Sequence, residues 1–137
     1  MKLLMTIKGK NNTGKTSLVK YTYKNLLSDG GEVLWYNCKD FMNVDFFAVV
    51  MWHGLKIALN SIGDGITWIR EGLNKAAEYN VDVMINTSSI PEDKYKECIP
   101  VSEFPISMDS LKDEEERLRQ KQLKYYKEIL PELMKLV

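Results

Sequence analysis

A short polar loop bounded by glycines, GKNNTGKT at residues 9–16, constrains the fold of this chain more than any other feature. Before it, residues 2–8 form an apolar run that is typical of a buried strand. After it, residues 15–28 carry apolar side chains at helical spacing and lead into Gly30 and Gly31, a signal that ends helices. A strand, a tight glycine loop and a helix in direct succession predict an α/β unit.

Two apolar runs in the middle of the chain predict a β-hairpin. Residues 46–52 and 55–63 are separated only by His53 and Gly54, and a two-residue link ending in glycine is typical of a hairpin turn. His53 is then a turn residue and not a catalytic base. A helix over 41–52 is the alternative, because periodicity alone does not separate a short buried strand from a helix.

The other segments alternate between strand and helix patterns. The proline-containing segment 91–110 is predicted as loop with at most one short strand, at 104–108. In the final helix, Pro131 is expected to cause a kink or to start a new turn. The remaining predicted elements are a strand at 32–37, a helix at 65–79, a strand at 81–89 and a charged helix at 111–137.

For two helices, the sequence also predicts which face is solvated or buried. In the final helix, the charged run at 114–121 (EEERLRQK) is predicted to be a solvated face with ion pairs between successive turns. In the helix at 65–79, the spacing of apolar residues predicts one buried face. That face comprises Ile66, Ile69, Leu73, Ala76 and Ala77.

The order of elements predicts one three-layer α/β domain that spans residues 1–137. Its central sheet is expected to be mostly parallel, with one antiparallel strand if the hairpin forms. The composition excludes disorder as the main state, because 45% hydrophobic and 28% charged residues are near the averages for globular domains.

The charge balance excludes a broad surface for nucleic acid. The chain has 19 Lys and Arg against 19 Asp and Glu, so no excess positive charge drives counterion release. A pI near 6.6 gives little colloidal repulsion at neutral pH, so a homodimer or a protein partner is a secondary expectation.

We expect this chain to be cytoplasmic, and we do not expect it to associate with a membrane. No apolar stretch is long enough to span a bilayer, and the N-terminal apolar run is too short for a signal peptide. Cys38 and Cys98 are far apart and outside any CxxC pattern, which favours free thiols in a reducing compartment.

The loop at 9–16 matches G-x-x-x-x-G-K-[ST] at every fixed position and resembles the Walker A loop of the P-loop nucleoside triphosphatases. Its glycines permit a tight turn whose backbone N–H groups surround phosphates, and the following helix N-terminus favours an anion. The resemblance implies a P-loop fold that binds ATP with Mg²⁺. The nucleotide contacts that it implies are Gly9, Lys10, Asn11, Asn12, Thr13, Gly14, Lys15, Thr16 and Ser17.

Three positions in this loop have more specific expected roles. Lys15 is expected to reach the β- and γ-phosphates and act in catalysis, and the Thr16 hydroxyl to be a Mg²⁺ ligand. Lys10 sits where the deviant Walker A class carries a second lysine that reaches a partner subunit's nucleotide. A solvated lysine is the alternative for Lys10.

P-loop enzymes also hold Mg²⁺ through a carboxylate at the end of a neighbouring strand. Residues 60–63 (NSIG) resemble the D-x-x-G pattern of the G-proteins, with Asn60 in place of Asp. Asp64 then lies where those proteins orient the attacking water. Mg²⁺ contact, water positioning and a simple helix cap are its three alternatives. Since Asn60 lacks a charge, Asp40 or Asp45 could supply the missing carboxylate, and hydrolysis is expected to be slow.

These features predict an ATP-binding P-loop NTPase. The guanine-reading N-K-x-D pattern is absent, which favours ATP over GTP. Hydrolysis is expected to be slow or stimulated by a partner, and the loops at 38–45 and 60–65 are expected to switch conformation. A small nucleotide or small-molecule kinase is one alternative, although no acceptor domain or arginine-bearing lid is evident. A non-catalytic nucleotide-binding regulator is the other.

Overall fold

The computed structural model describes residues 1–9, 13–38, 45–62, 66–88, 103–108 and 115–137. These residues form a mixed α/β structure with a six-stranded sheet and, within the described ranges, three helices. The strands are β1 (Leu3–Lys8), β2 (Glu32–Cys38), β3 (Phe46–Trp52), β4 (Leu55–Asn60), β5 (Val83–Ser88) and β6 (Glu103–Ser107). The helices are α1 (Lys15–Ser28), α2 (Ile66–Glu78) and α3 (Glu115–Met134).

The sheet has the order β2-β3-β4-β5-β1-β6 and is mostly parallel, as predicted. Strand β1 lies between β5 and β6 and is parallel to both, and β4 is parallel to β5. Strand β3 pairs antiparallel with β2 on one side and with β4 on the other. The predicted hairpin is therefore confirmed, and the alternative helix is wrong over 46–52. Residues 41–44 lie outside the described ranges.

The hairpin turns at His53 and Gly54, whose φ angles are 46° and 80°. Positive φ at both central residues matches the tight turns that suit the twist of a hairpin. His53 Nε2 lies 2.8 Å from Asp29 Oδ2, and the Trp52 indole donates to the same oxygen at 3.1 Å. These contacts hold the turn against the end of α1, so the prediction of a turn role for His53 is confirmed.

Helices cover both faces of the sheet. On one face, α1 and α3 pack over a cluster that includes Leu18, Ile129 and the strand residue Ile7. On the other face, α2 packs over a second cluster that includes Ala76 and Met84. This produces the three layers that the sequence predicts for an α/β domain.

Helix α2 approaches the sheet closely at Gly72, which is buried. A Cβ atom there would lie 2.5 Å from Asn60 Nδ2 and 3.0 Å from the Met84 terminal methyl. Ile69 and Ala76 are buried as predicted, but Ala77 is exposed, so its assignment to the buried face is wrong. The buried face follows positions 69, 72, 73 and 76, and Ala77 lies a further 100° around the helix.

Helix α3 continues through Pro131 to Met134 and is not ended by it. Its buried side is formed by every fourth residue, namely Lys121, Tyr125, Ile129 and Leu133. The charged run at 114–121 is therefore not entirely a solvated face, because its last residue, Lys121, is only 6% exposed. Within the described part of the chain, no helix is long and apolar enough to cross a membrane.

Candidate functional site

The glycine-bounded loop begins where β1 ends, and both of its glycines are required by the local geometry. A Cβ on Gly9 would lie 2.8 Å from Thr13 Oγ1 and 3.1 Å from Met108 Cβ, so a larger residue would displace these neighbours. Gly14 is the N-cap of α1 and has φ 92° and ψ 16°, a left-handed conformation that glycine adopts without strain. Lys10, Asn11 and Asn12 lie outside the described residues.

The start of α1 points its backbone N–H groups toward this loop. Gly14 makes no side-chain hydrogen bond to cap the helix, and the first turn contains no acidic residue. The first N–H groups of a helix have no partner within it, and together with the helix dipole they attract an anion. The helix start thus provides an electropositive end next to Lys15.

Lys15 folds back across the loop. Its Nζ donates to the carbonyl oxygen of Gly9 at 2.8 Å, so the ammonium group lies beside the first motif glycine. A lysine ammonium has three donors. The same group can therefore interact with a phosphate while remaining close to the loop.

Thr16 contacts a carboxylate from a distant part of the chain, 29 residues further on. Its Oγ1 donates to Asp45 Oδ1 at 3.1 Å. Asp45 directly precedes β3, and Phe46 is tied to the end of β4 by a bond from its N–H to Ser61 Oγ at 2.9 Å. Because β3 is antiparallel, its first residues lie at the edge where the parallel strands end. The Asp45 carboxylate is thereby brought to Thr16.

The Thr16–Asp45 pair has the chemistry of a Mg²⁺ site. Both side chains offer oxygen, and Mg²⁺ commonly binds one or two protein oxygens together with water and substrate phosphate. The threonine hydroxyl donates a hydrogen bond to Asp45, so the lone pairs of its own oxygen are left for a cation. Within the described ranges, no group of three or more His, Cys, Asp or Glu could hold a metal.

Of the three carboxylates that the sequence suggests for the metal, the structure places only Asp45. Asp40 and Asp64 lie outside the described residues. Asn60, the neutral residue in the G-protein-like pattern, is 1% exposed and fully engaged. Its Nδ2 donates to Asn86 Oδ1 at 3.1 Å, and its Oδ1 accepts from the Ile62 N–H at 2.9 Å. Asn60 therefore links β4 to β5.

Helix α3 also contacts the loop. Lys121 Nζ donates to the Thr13 carbonyl oxygen at 3.3 Å, and Gln122 Nε2 donates to the Ser17 carbonyl oxygen at 3.5 Å. Sequence reasoning missed Lys121 because it belongs to a charged run. Its four-residue spacing from Tyr125 and Ile129 was the signal that placed it on the buried side.

A cavity of about 230 Å³ opens between the sheet and α2. It lies at the same edge, since Asn60 is the last residue of β4 and Phe47 is near the start of antiparallel β3. No sequence signal marks it, because its walls come from distant segments. The cavity is lined by Trp35, Asn37, Phe47, Asn60, Ile62, Trp68, Glu71, Gly72 and Lys75.

Comparisons with known proteins provide no relative for this chain. No protein-family model matches it, and searches of the curated proteins and of the solved structures found no match.

Proposed function

We propose that this chain is a Mg²⁺-dependent P-loop NTPase that binds ATP at residues 9–16. The observation that carries the proposal is the geometry of the loop. A left-handed glycine, which has no side chain of its own to cap the helix, opens α1, and the Lys15 ammonium lies 2.8 Å from the Gly9 carbonyl oxygen. A helix N-terminus, a glycine turn and a lysine together form a site for a polyphosphate.

In this proposal each described side chain has one task. The backbone of the loop and Lys15 bind the phosphates, and Lys15 balances charge that develops on the γ-phosphoryl group. Thr16 and Asp45 hold Mg²⁺, which when bound would neutralise phosphate charge. Of the three candidate carboxylates, Asp40, Asp45 and Asp64, we propose Asp45 as the Mg²⁺ ligand.

Hydrolysis is proposed to be slow or stimulated by a partner. The buried amide of Asn60 is committed to Asn86 and Ile62, and it adds no negative charge near the metal. Asp64, which precedes α2 in the sequence, stays the proposed residue for orienting the attacking water. A slow hydrolase with loops beside the γ-phosphate would act as a conformational switch in the cytoplasm, alone or with a protein partner.

A small-molecule kinase is the second candidate, and the aromatic cavity favours it. A kinase needs a place for the acceptor at the edge where the nucleotide binds, and open α/β sheets bind ligands where their strands end. The cavity meets that requirement without a separate acceptor domain.

Binding of ATP and GTP with Mg²⁺ to the purified chain tests the proposal. Replacing Lys15 by Met should weaken ATP binding at least tenfold, since it removes the ammonium from the loop. Lys24→Met is the matched control, because Lys24 is exposed on the same helix. Unchanged ATP affinity in Lys15→Met, with the fold intact by circular dichroism, would disprove the assignment of the loop.

The reaction is tested separately by following free phosphate with and without candidate acceptors. Slow phosphate release without an acceptor supports the switch, and its loss in Asp64→Asn supports a role for that carboxylate. Phosphate transferred to an acceptor hydroxyl would instead establish the kinase.

A further inference from the structure

The cavity under α2 is a second site at the functional edge of the sheet. Its strand residues lie at the same edge as loop 9–16: Asn37 is near the end of β2, Asn60 ends β4, and Phe47 is near the start of β3. Helix α2 closes the cavity with residues between Trp68 and Lys75. Ligands of open α/β sheets bind at this edge, so the position itself favours a ligand.

Aromatic rings form much of its wall. Trp35 packs against Phe47 with their ring centroids 5.3 Å apart and an interplanar angle of 65°. Trp68 leaves 37% of its surface exposed, although an indole gains free energy when it is covered. A bound planar ring would cover apolar surface that water now contacts.

Polar groups at the cavity limit the charge and the hydrogen-bonding atoms of a ring that could bind there. The Asn37 amide is exposed and offers both a donor and an acceptor. Lys75 Nζ lies 4.5 Å from the Trp35 ring centroid and 3.2 Å from Glu78 Oε2. Glu71 lines the same cavity, so charges of both signs lie there. Aromatic walls with an amide and balanced charges suit a neutral planar ring that has hydrogen-bonding atoms on its edge.

The size of the cavity limits the ligand further. Its volume of about 230 Å³ is below the several hundred cubic ångströms of pockets that hold drug-sized ligands. Phe47 is two residues from Asp45, a separation of about 7 Å along an extended strand. A small ring in this cavity would therefore lie beside, and not on, the Thr16–Asp45 pair.

We propose that this cavity binds a small planar heterocycle of the nucleoside class, as a ligand separate from the triphosphate on loop 9–16. This inference goes beyond the proposed triphosphate site and does not depend on it, because a nucleoside carries no phosphate. If both sites are real, the chain holds two ligands at one edge of the sheet.

Equilibrium dialysis with labelled adenosine, guanosine, cytidine and thymidine tests the inference on the full chain. At least one nucleoside should bind with a Kd below about 1 mM. Trp68→Ala should weaken that binding about 5- to 100-fold, the usual range for loss of a base-stacking aromatic side chain. Trp68→Phe should retain most of the affinity, because it keeps a ring at that position.

Leu123→Ala is the control, since it truncates an exposed apolar side chain on α3, far from α2 in the fold. Its nucleoside affinity should equal that of the unchanged protein. Tryptophan fluorescence locates the ligand: two of the three tryptophans line the cavity, and the third, Trp52, is buried in the cluster under α1 and α3. Binding should therefore quench the emission, and phenol, which lacks a base's polar edge, should bind more weakly than the nucleoside.

Three results would overturn the inference. They are saturable binding by none of the four nucleosides, equal affinity in Trp68→Ala, and displacement of the nucleoside by ADP with Mg²⁺, which would place it in the nucleotide's own base site. The proposed function fails on a different result, unchanged ATP binding in Lys15→Met. The two ideas can therefore succeed or fail independently.

Discussion

The side-chain amide of Asn60 donates a hydrogen bond that an aspartate at this position could not make. Its position in the G-protein-like pattern suggests that an aspartate would improve the site. In the structure, its amide donates to Asn86 and accepts from the Ile62 N–H, and its side chain lies directly under Gly72. A carboxylate can replace the acceptor but not the donor.

We predict that Asn60→Asp destabilises the protein. The change removes a buried donor and places a negative oxygen against Asn86 Oδ1, which should cost about 1–3 kcal/mol of unfolding free energy. Urea denaturation measures this loss, and Asn74→Asp on the exposed side of α2 is the control. A variant of full stability with faster ATP hydrolysis would instead favour the role that the sequence pattern suggests.

Asp29 lies at the edge of the sheet opposite loop 9–16, beside the hairpin turn, and its contribution to stability depends on pH. Its hydrogen bond with His53 is the main cause that lowers its pKa below the ordinary value of 3.8, and the bond from Trp52 adds to it. A lowered pKa in the folded state means that the unfolded chain takes up the proton first. The stabilisation is therefore fully present above pH 3.8 and is lost as the pH falls through the folded-state pKa.

We predict that Asp29→Asn flattens the acid limb of the stability profile. Thermal midpoints measured from pH 7 down to pH 3 should fall less steeply in this variant than in the unchanged protein, because one proton-linked contribution is gone. Equal slopes in the two proteins would show that the contact with His53 contributes nothing in solution. The effect should be small, since the carboxylate is exposed to solvent.

At the scale of elements, α3 links the far end of the chain to loop 9–16. Lys121 and Gln122 donate to carbonyl oxygens of Thr13 and Ser17, so the helix holds the loop as well as covering the sheet. Lys121 places a positive charge beside a loop proposed to bind phosphates. We therefore expect Lys121 to position the loop as well as to pack against the sheet.

Lys121→Met separates these two roles. Loss of the hydrogen bond to Thr13 should weaken ATP binding about fivefold, equivalent to about 1 kcal/mol, and should also lower the thermal midpoint, because Met cannot donate to the buried Thr13 carbonyl oxygen. Lys127→Met, at an exposed position of the same helix, should change neither quantity. A lower midpoint with unchanged ATP affinity would indicate that Lys121 is only structural.

Local patterns predicted most elements, and tertiary contacts explain what they missed. The apolar runs around β1, β3 and β4, and the glycines at loop 9–16, are local signals that the structure follows. The Thr16–Asp45 contact joins residues 29 positions apart, and Lys121 joins Thr13 across 108 positions. The spacing of residues within one element does not predict which residue of another element they contact, since that depends on strand order and helix docking. Asp40 and Asp64 lie outside the described residues and stay predictions.

At the scale of the whole molecule, ligand binding should stabilise the entire domain. The loop joins β1, which lies between β5 and β6, to α1, and Asp45 connects this site to the hairpin. A ligand that binds only the folded state, at 100 times its Kd, adds about 2.7 kcal/mol to its stability. ATP should therefore raise the thermal midpoint, and Mg²⁺ should raise it further.

We predict that Asp45→Asn removes the Mg²⁺-dependent part of this increase. The amide keeps the size of the side chain but lacks the negative charge that attracts a cation. The shift with ATP and EDTA should persist, because loop 9–16 is unchanged. A Mg²⁺ increment equal to that of the unchanged protein would remove Asp45 from the metal site and leave Asp40 and Asp64 as the candidates.

The antiparallel direction of β3 has a practical consequence for work with this protein. The His53–Gly54 turn lies at one edge of the sheet, and loop 9–16 and Asp45 lie at the other. His53 and Gly54 are both exposed, so a dye or a surface linker attached at this turn would leave the opposite edge open to solution. A single-cysteine label placed there would allow immobilised or single-molecule assays in which the tether does not block ligands.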